Sequence, residues 1–330
     1  MASRRQGWWI AAAAAALVAA AALLPLVGPA RVDLARAWAG LSPDYEILFQ
    51  ARLPRVLLAL LAGGTLAAAG ALFQALLRDA LATPYTLGIS SGASLGAVLA
   101  MSLGWEQVLG LPAVWAAAFG GAAAVLALVV AIASEGRRMS SFTLLLSGIT
   151  INSICLALIL LLQYLAGFTQ SIAIVRWLMG GIEAVSYGTL AAVACAVLPV
   201  VGFLFWRARE WNLLAVGEEW AAARGVDTSR TLLAGYLAGS FVTGSITALT
   251  GPIGFVGLIV PHALRLKVGA DHRLLIPCSF LAGAPFLALC DTLARTVAAP
   301  TEIPVGVITA MLGGPFFIWL LRSRRRSLWL

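Results

Sequence analysis

Apolar residues run along this chain in blocks of about twenty, the length needed to cross a hydrocarbon layer of about 30 Å. Such blocks predict spans at residues 8–30, 54–77, 86–103, 112–133, 142–166, 188–207, 231–250, 254–268, 274–292 and 304–322. That is about ten crossings in a single domain over residues 1–330, an all-α polytopic membrane protein. The eighth block is short and carries Pro252 and Pro261, so a broken or partly inserted helix is expected there. The first block follows Arg4 and Arg5, as a signal peptide would. Its apolar stretch is longer than the roughly 7–15 residues of such a segment, and it reads as a retained span.

The longest central break in this pattern is EWNLLAVGEEWAAARGVDTSR, residues 210–230, which cannot sit in lipid. Leu213, Leu214, Ala215, Trp220 and Ala223 keep helical spacing, with Glu218 and Glu219 between them and Arg224 after them. An amphipathic helix pinned between two spans suits a docking surface for a soluble partner, or simply a solvated connector. A second polar segment, residues 31–55, ends in Arg52-Leu-Pro-Arg55 and fits either lipid anchoring or an acidic partner. The connection holding Arg176 and Trp177 reads as a short interfacial helix, with the arginine in water and the tryptophan at headgroup level or lining a vestibule.

Composition agrees: 61% of the 330 residues are hydrophobic and 11% charged, with a mean hydropathy of +0.96. The net charge of +8 is too scattered for nucleic acid. Its distribution orients the chain instead, because the connections on one side carry 16 of the 22 basic residues and those on the other carry 6. The basic-rich side is read as cytoplasmic; it holds both termini and residues 210–230. The four cysteines fall in apolar runs without metal spacing, and neither His262 nor His272 has a ligand partner at useful spacing, so no metal site is expected.

Small residues recur through Gly63, Gly64, Gly70, Gly88, Gly92 and Gly96, as at close helix crossings in lipid. Arg55-Val-Leu-Leu-Ala with Gly64-Thr65 is echoed by Arg230-Thr-Leu-Leu-Ala with Gly239-Ser240. The two copies start on opposite sides, which a weak inverted repeat would produce. The single lysine, Lys267, follows no Gly-x4-Gly-Lys pattern, so the chain has no P-loop and is not expected to be an enzyme or to hold a cofactor. Span interiors nearly free of charge argue against ion coupling, although an ion-coupled secondary carrier is the rival class and a non-transporting scaffold a third.

Arg52-Leu-Pro-Arg55, the run RDALATPYTLGISSGA from Arg78, Leu146-Ser-Gly148-Ile, Arg176-Trp-Leu-Met-Gly180, LAVGEEWAAARGV from Leu214, and Gly251 to His262 with Asp271-His272-Arg273 together resemble the permease subunit of type II ABC importers. These carry iron–siderophore complexes, haem and vitamin B12 across the inner (plasma) membrane. The resemblance implies the ten-span fold of the vitamin B12 permease, a homodimer in membrane lipid, two ATPase subunits that bind the ATP and magnesium, and a periplasmic or lipid-anchored binding protein. It assigns ATPase coupling to Leu213, Leu214, Ala215, Val216, Gly217, Glu218, Glu219, Ala222, Arg224 and Gly225, and binding-protein docking to Arg52, Arg55 and Arg295. It also implies a cytoplasmic gate at Asp79, Leu81, Ser141 and Thr143, and points to Gly148, Asn152, Arg176 and Trp177 along the path. Iron–siderophore comes first among the cargoes. Asp79-Ala80 departs from the Asn-Pro expected at the gate turn.

Overall fold

The computed structural model describes residues 2–108, 111–134 and 139–324. Of the basic residues used to orient the chain, Arg137, Arg138, Arg325 and Arg326 lie outside them. Fourteen α-helices and one two-stranded ribbon (Gln107–Val108 with Leu111–Pro112) make up the described fold.

Each predicted span has a helical counterpart. These are α1 (Ala2–Leu23), α3 (Leu53–Leu76), α4 (Ile89–Ser102), α5 (Ala113–Ala133), α6 (Ser141–Leu165), α8 (Tyr187–Trp206), α11 (Thr228–Thr250), α12 (Val256–Val268), α13 (His272–Thr296) and α14 (Val305–Arg324). Between them lie the short helices α2 (Leu34–Trp38), α7 (Phe168–Leu178), α9 (Ala208–Val216) and α10 (Glu218–Ala223). Among the described residues, seven helical stretches are long and apolar enough to cross a bilayer alone. Three counterparts are short. α4 begins at Ile89 rather than 86, because residues 83–88 form a turn closed by Gly88 at φ +81°. α12 has 13 residues, about 20 Å at 1.5 Å each, and is preceded by the non-helical stretch 251–254, as the prolines and glycines there predict. α14 has an apolar stretch only from Val305 to Leu320.

α3 is the centre. It continues without interruption from a wide-turn π-helix, Glu46–Arg52, which precedes the missing N–H of Pro54. Nearly all of α3 is buried, with α13, α11 and α12 packed around it. The crossing with α13 is backbone to backbone: a Cβ placed on Gly63 would lie 2.3 Å from the Gly283 carbonyl oxygen, and one on Gly283 would lie 2.5 Å from that of Gly63. α11 runs opposite to α3, with Gly239 against Phe73 and Gly235 against Leu76, so the two echoing segments do cross the molecule in opposite directions. Trp177 is half-buried and packs against this core, whereas Arg176 is exposed.

Gly63→Val should lower the thermal midpoint of the detergent-solubilised protein by an amount equivalent to at least about 2 kcal/mol. Gly120→Ala, where nothing lies within 4 Å of the new carbon, should leave it unchanged. Fluorescence-detected thermal unfolding reads both.

Candidate functional site

The chemistry-bearing residues collect at the two ends of α3. At the end where α3 stops, residues 210–225 form two helices instead of the single one expected. The break is Gly217, whose φ of +156° and ψ of +148° only glycine adopts without strain. Trp211 and Leu214 of α9 and Ala221 of α10 are buried, and the Trp211 indole donates to the Leu204 carbonyl at 2.8 Å. Val216 and Trp220 point the other way, 70% and 62% exposed, flanked by exposed Glu219, Ala222, Arg224 and Gly225. Leu213 and Ala215 are half-buried between the two faces. α9 is clamped to α13: Asn212 Nδ2 donates to Asp271 Oδ1 at 2.7 Å, and the His272 backbone N–H donates to Asn212 Oδ1 at 2.8 Å. Burial would push the Asp271 carboxyl up. Donation from Asn212 and from the Arg273 backbone, with the Arg273 charge, outweighs this and holds it below its ordinary value. The clamp is thus ionised at neutral pH and weakens only in acid.

Glu218 faces inward. Its Oε1 accepts from the Ser141 backbone N–H at 3.2 Å and lies 2.6 Å from Ser141 Oγ and 3.5 Å from Arg78 Nη2. Ser141 opens α6, and its Oγ is also 2.7 Å from the Leu76 carbonyl at the end of α3. Thr143 lies in the first turn of α6, with its N–H capped by Ser140 Oγ at 3.2 Å. Asp79 and Leu81 sit in the turn after α3, where Asp79 Oδ1 accepts from the Leu81 N–H at 2.8 Å. Aspartate therefore closes this turn through its side chain, as asparagine can.

At the opposite end the three arginines assigned to docking converge but differ. Arg55 donates bidentately to Asp291, with Nη2–Oδ1 at 2.9 Å, and through Nη1 to Glu302 at 2.9 Å. The Asp291 side chain is 1% exposed, that of Arg55 16% and that of Glu302 47%. Arg52 and Arg295 are buried and donate to chain carbonyls: Arg52 to Leu26 and Ala30, Arg295 to Leu24 at 3.0 Å. Of the three, Arg55 is the one at the surface.

Arg55 and Glu302 also line a cavity of about 600 Å³, together with Arg176, Trp177, Trp115 and Glu183. The path residues in α6 are divided. Gly148 is buried, and a Cβ there would lie 2.8 Å from the Leu87 Cα, so it serves packing. Asn152 is half-buried. Thr150 and Ser153, which the sequence reading did not single out, are exposed on α6, and their hydroxyls donate back to the Leu146 and Ile149 carbonyls at 2.9 and 3.0 Å.

The FecCD transport family matches residues 11–323. The chain belongs to this family. The haemin transport permease HmuU of Yersinia pestis is 39% identical over 285 residues, covering 86% of this chain and 85% of that protein. The cobalamin import permease BtuC of Halobacterium salinarum is 43% identical over 273 residues, covering 83% and 72%. A solved inward-facing structure described as a metal-chelate type ABC transporter superposes with a TM-score of 0.83 at 31% identity, covering 96% of this chain and 99% of that one.

This FecCD chain is accordingly an integral membrane permease of the ABC-importer class, with the all-helical fold of the vitamin B12 permeases. Several contributors had been given no site role from the sequence: Arg78, Asn212, and the carboxylates Asp291 and Glu302, which meet Arg55 from 236 and 247 residues away. Asp291→Ala, which takes the carboxylate away from Arg55 and from the buried Arg295, whose Nε lies 4.0 Å from Asp291 Oδ2, should cost about 3–5 kcal/mol. Glu302→Ala at the exposed partner should cost about 1 kcal/mol or less. Unfolding of the two variants in detergent measures the contrast.

Proposed function

We propose that this FecCD chain is the membrane subunit of an importer that receives a metal chelate from a binding protein and passes it to the cytoplasm by alternating access, driven by ATPase subunits. The carrying observation is the two-sided arrangement of α9 and α10. Their outer face offers Val216 and Trp220 to a soluble partner, and their inner face reaches the start of α6 through Glu218. An exposed tryptophan beside the Gly217 break suits an anchor that fills a pocket on another protein. In this reading ATP closure of the partner pulls α9 and α10, both termini lie on that cytoplasmic side, and the membrane is the inner (plasma) membrane. Two copies of the chain enclose the path.

Arg55 is the docking arginine this reading favours, since the carboxylate it already meets at the surface, Glu302, is the kind of group an acidic binding-protein loop would bring. Charge pairs at such a rim govern orientation and encounter rate more than affinity. Along the path, the back-bonded hydroxyls of Thr150 and Ser153 leave a face that is polar yet offers few free donors, suited to releasing a large chelate. Iron–siderophore complexes fit this wall, and the haemin and cobalamin relatives bring tetrapyrroles into the same class.

The test is reconstitution of the tagged chain with its ATPase and binding protein in liposomes, supplied with ferric siderophore, haemin or cobalamin. ATP-dependent uptake of one of them is expected. Uptake that persists without the ATPase and follows an ion gradient would sink the proposal in favour of a secondary carrier. Trp220→Ala with Val216→Asp should reduce co-purification of the ATPase at least about tenfold, because hot-spot aromatics dominate such contacts.

A further inference from the structure

We propose that Glu218 is the positioning residue through which α10 controls the inner end of the path, and that the Ser141 hydroxyl is the element it switches. The inference rests on the importer reading above and adds to it a specific route between the partner-facing helices and the gate.

The argument starts from hydrogen-bond capacity. The first N–H groups of α6 have no partners within the helix. Glu218 Oε1 takes one of them, that of Ser141, at 3.2 Å, and so places a negative charge at the positive end of a 25-residue helix. The same oxygen lies 2.6 Å from Ser141 Oγ, which is itself 2.7 Å from the Leu76 carbonyl. Both neighbours are acceptors, and a serine hydroxyl has one hydrogen to give. It can satisfy the carboxylate or the end of α3, but not both in full. Ser141 is buried, so water is poorly placed to supply the missing donor.

Two states follow. With α10 seated, Glu218 holds the start of α6 through the backbone N–H and competes for the hydroxyl. With α10 drawn away, the hydroxyl belongs to Leu76 and ties α6 directly to α3. A displacement of about an ångström is enough to decide, because hydrogen bonds weaken steeply beyond their normal length. Arg78 supports the first state: it emerges from α3 at φ +51°, and its guanidinium meets the same Oε1 at 3.5 Å. Thr143 in the next positions of α6, and Asp79 and Leu81 in the turn after α3, are carried by the two helix ends that this shared proton joins or separates. A coupling device needs such an element with two arrangements that both sites bias.

The experiment compares uptake per ATP hydrolysed in reconstituted complexes of the unaltered chain, Glu218→Ala, Glu218→Gln, Ser141→Ala and the double alanine variant, using whichever chelate the unaltered complex carries. Glu218→Ala and Ser141→Ala should each lower the ratio about tenfold, within the usual range of coupling between sites. Glu218→Gln keeps an acceptor oxygen and should restore most of it. The double variant should be no worse than the poorer single one, since both remove the same link. A ratio within about twofold of the unaltered value in either alanine variant, or losses that multiply in the double, would overturn the proposal. Should Glu218→Ala fail to assemble, Ser141→Ala decides, because it deletes one oxygen from a small side chain. A complex that forms and couples normally in these variants refutes the Glu218 route alone. A failure of the unaltered chain to retain any ATPase refutes the importer reading beneath it.

Discussion

Everything in this molecule is arranged around a helix with no lipid-facing side. α3 is buried almost throughout, and lipid gives no hydrophobic reason for its neighbours to gather round it. What holds them is close packing, and close packing requires that side chains be absent where backbones meet. Gly63 against Gly283 is the tightest expression of that rule in the α3–α13 pair. Once α13 is fixed to α3, the positions of Asp271 at one end and of Asp291 and Arg295 at the other follow. The chemistry at both surfaces is therefore set by one interhelical contact in the middle.

The two ends use charge differently. At the α3 start, Asp291 is sunk beneath Arg55 and serves to hold it, while Glu302 meets the same guanidinium at the surface. Buried and exposed partners of one arginine divide between structure and exchange: the first cannot be given up cheaply, and the second can. At the α3 end, the charges are arranged across separate helices. Asp271 binds α9 to α13, and Glu218 binds α10 to α6. The surface segment is thus fastened on each side of the Gly217 break.

Much of this was legible in the sequence, and the parts that were not have physical reasons. Apolar runs located all ten helical counterparts because hydrocarbon thickness imposes a length that composition must match. The break at 251–254 was visible in Gly251, Pro252 and Gly254. The start of α4 was misplaced because Thr86-Leu87-Gly88 carries no charge to interrupt the apolar block, and the positive φ of Gly88 ends the turn there. The surface segment was expected as one helix because Gly217 is a single residue inside a helical spacing, and its conformation is a tertiary choice. The resemblance grouped Arg52, Arg55 and Arg295, and the structure brings the three to the same end of α3. That two of them are buried depends on carbonyls in residues 24–30, which no local pattern announces. Glu218 and Glu219 are adjacent and chemically alike, yet one faces α6 and the other solvent.

The short helices α4 and α12 bear on how such a chain is built. A segment of 13 or 14 residues is too short to partition stably into a bilayer by itself. The non-helical stretch before α12 would expose unsatisfied peptide groups to hydrocarbon if it entered unaccompanied. In the finished fold this region is shielded by neighbours made earlier and later in the chain: the Gly181 N–H donates to the Thr250 carbonyl, and a Cβ placed on Gly306 of α14 would lie 3.5 Å from the Pro252 carbonyl oxygen. Membrane insertion cannot then proceed as ten independent events in order of synthesis. The α11–α13 region has to enter as a group, or wait at the bilayer surface until α14 is made, so a later span completes the burial of one that preceded it.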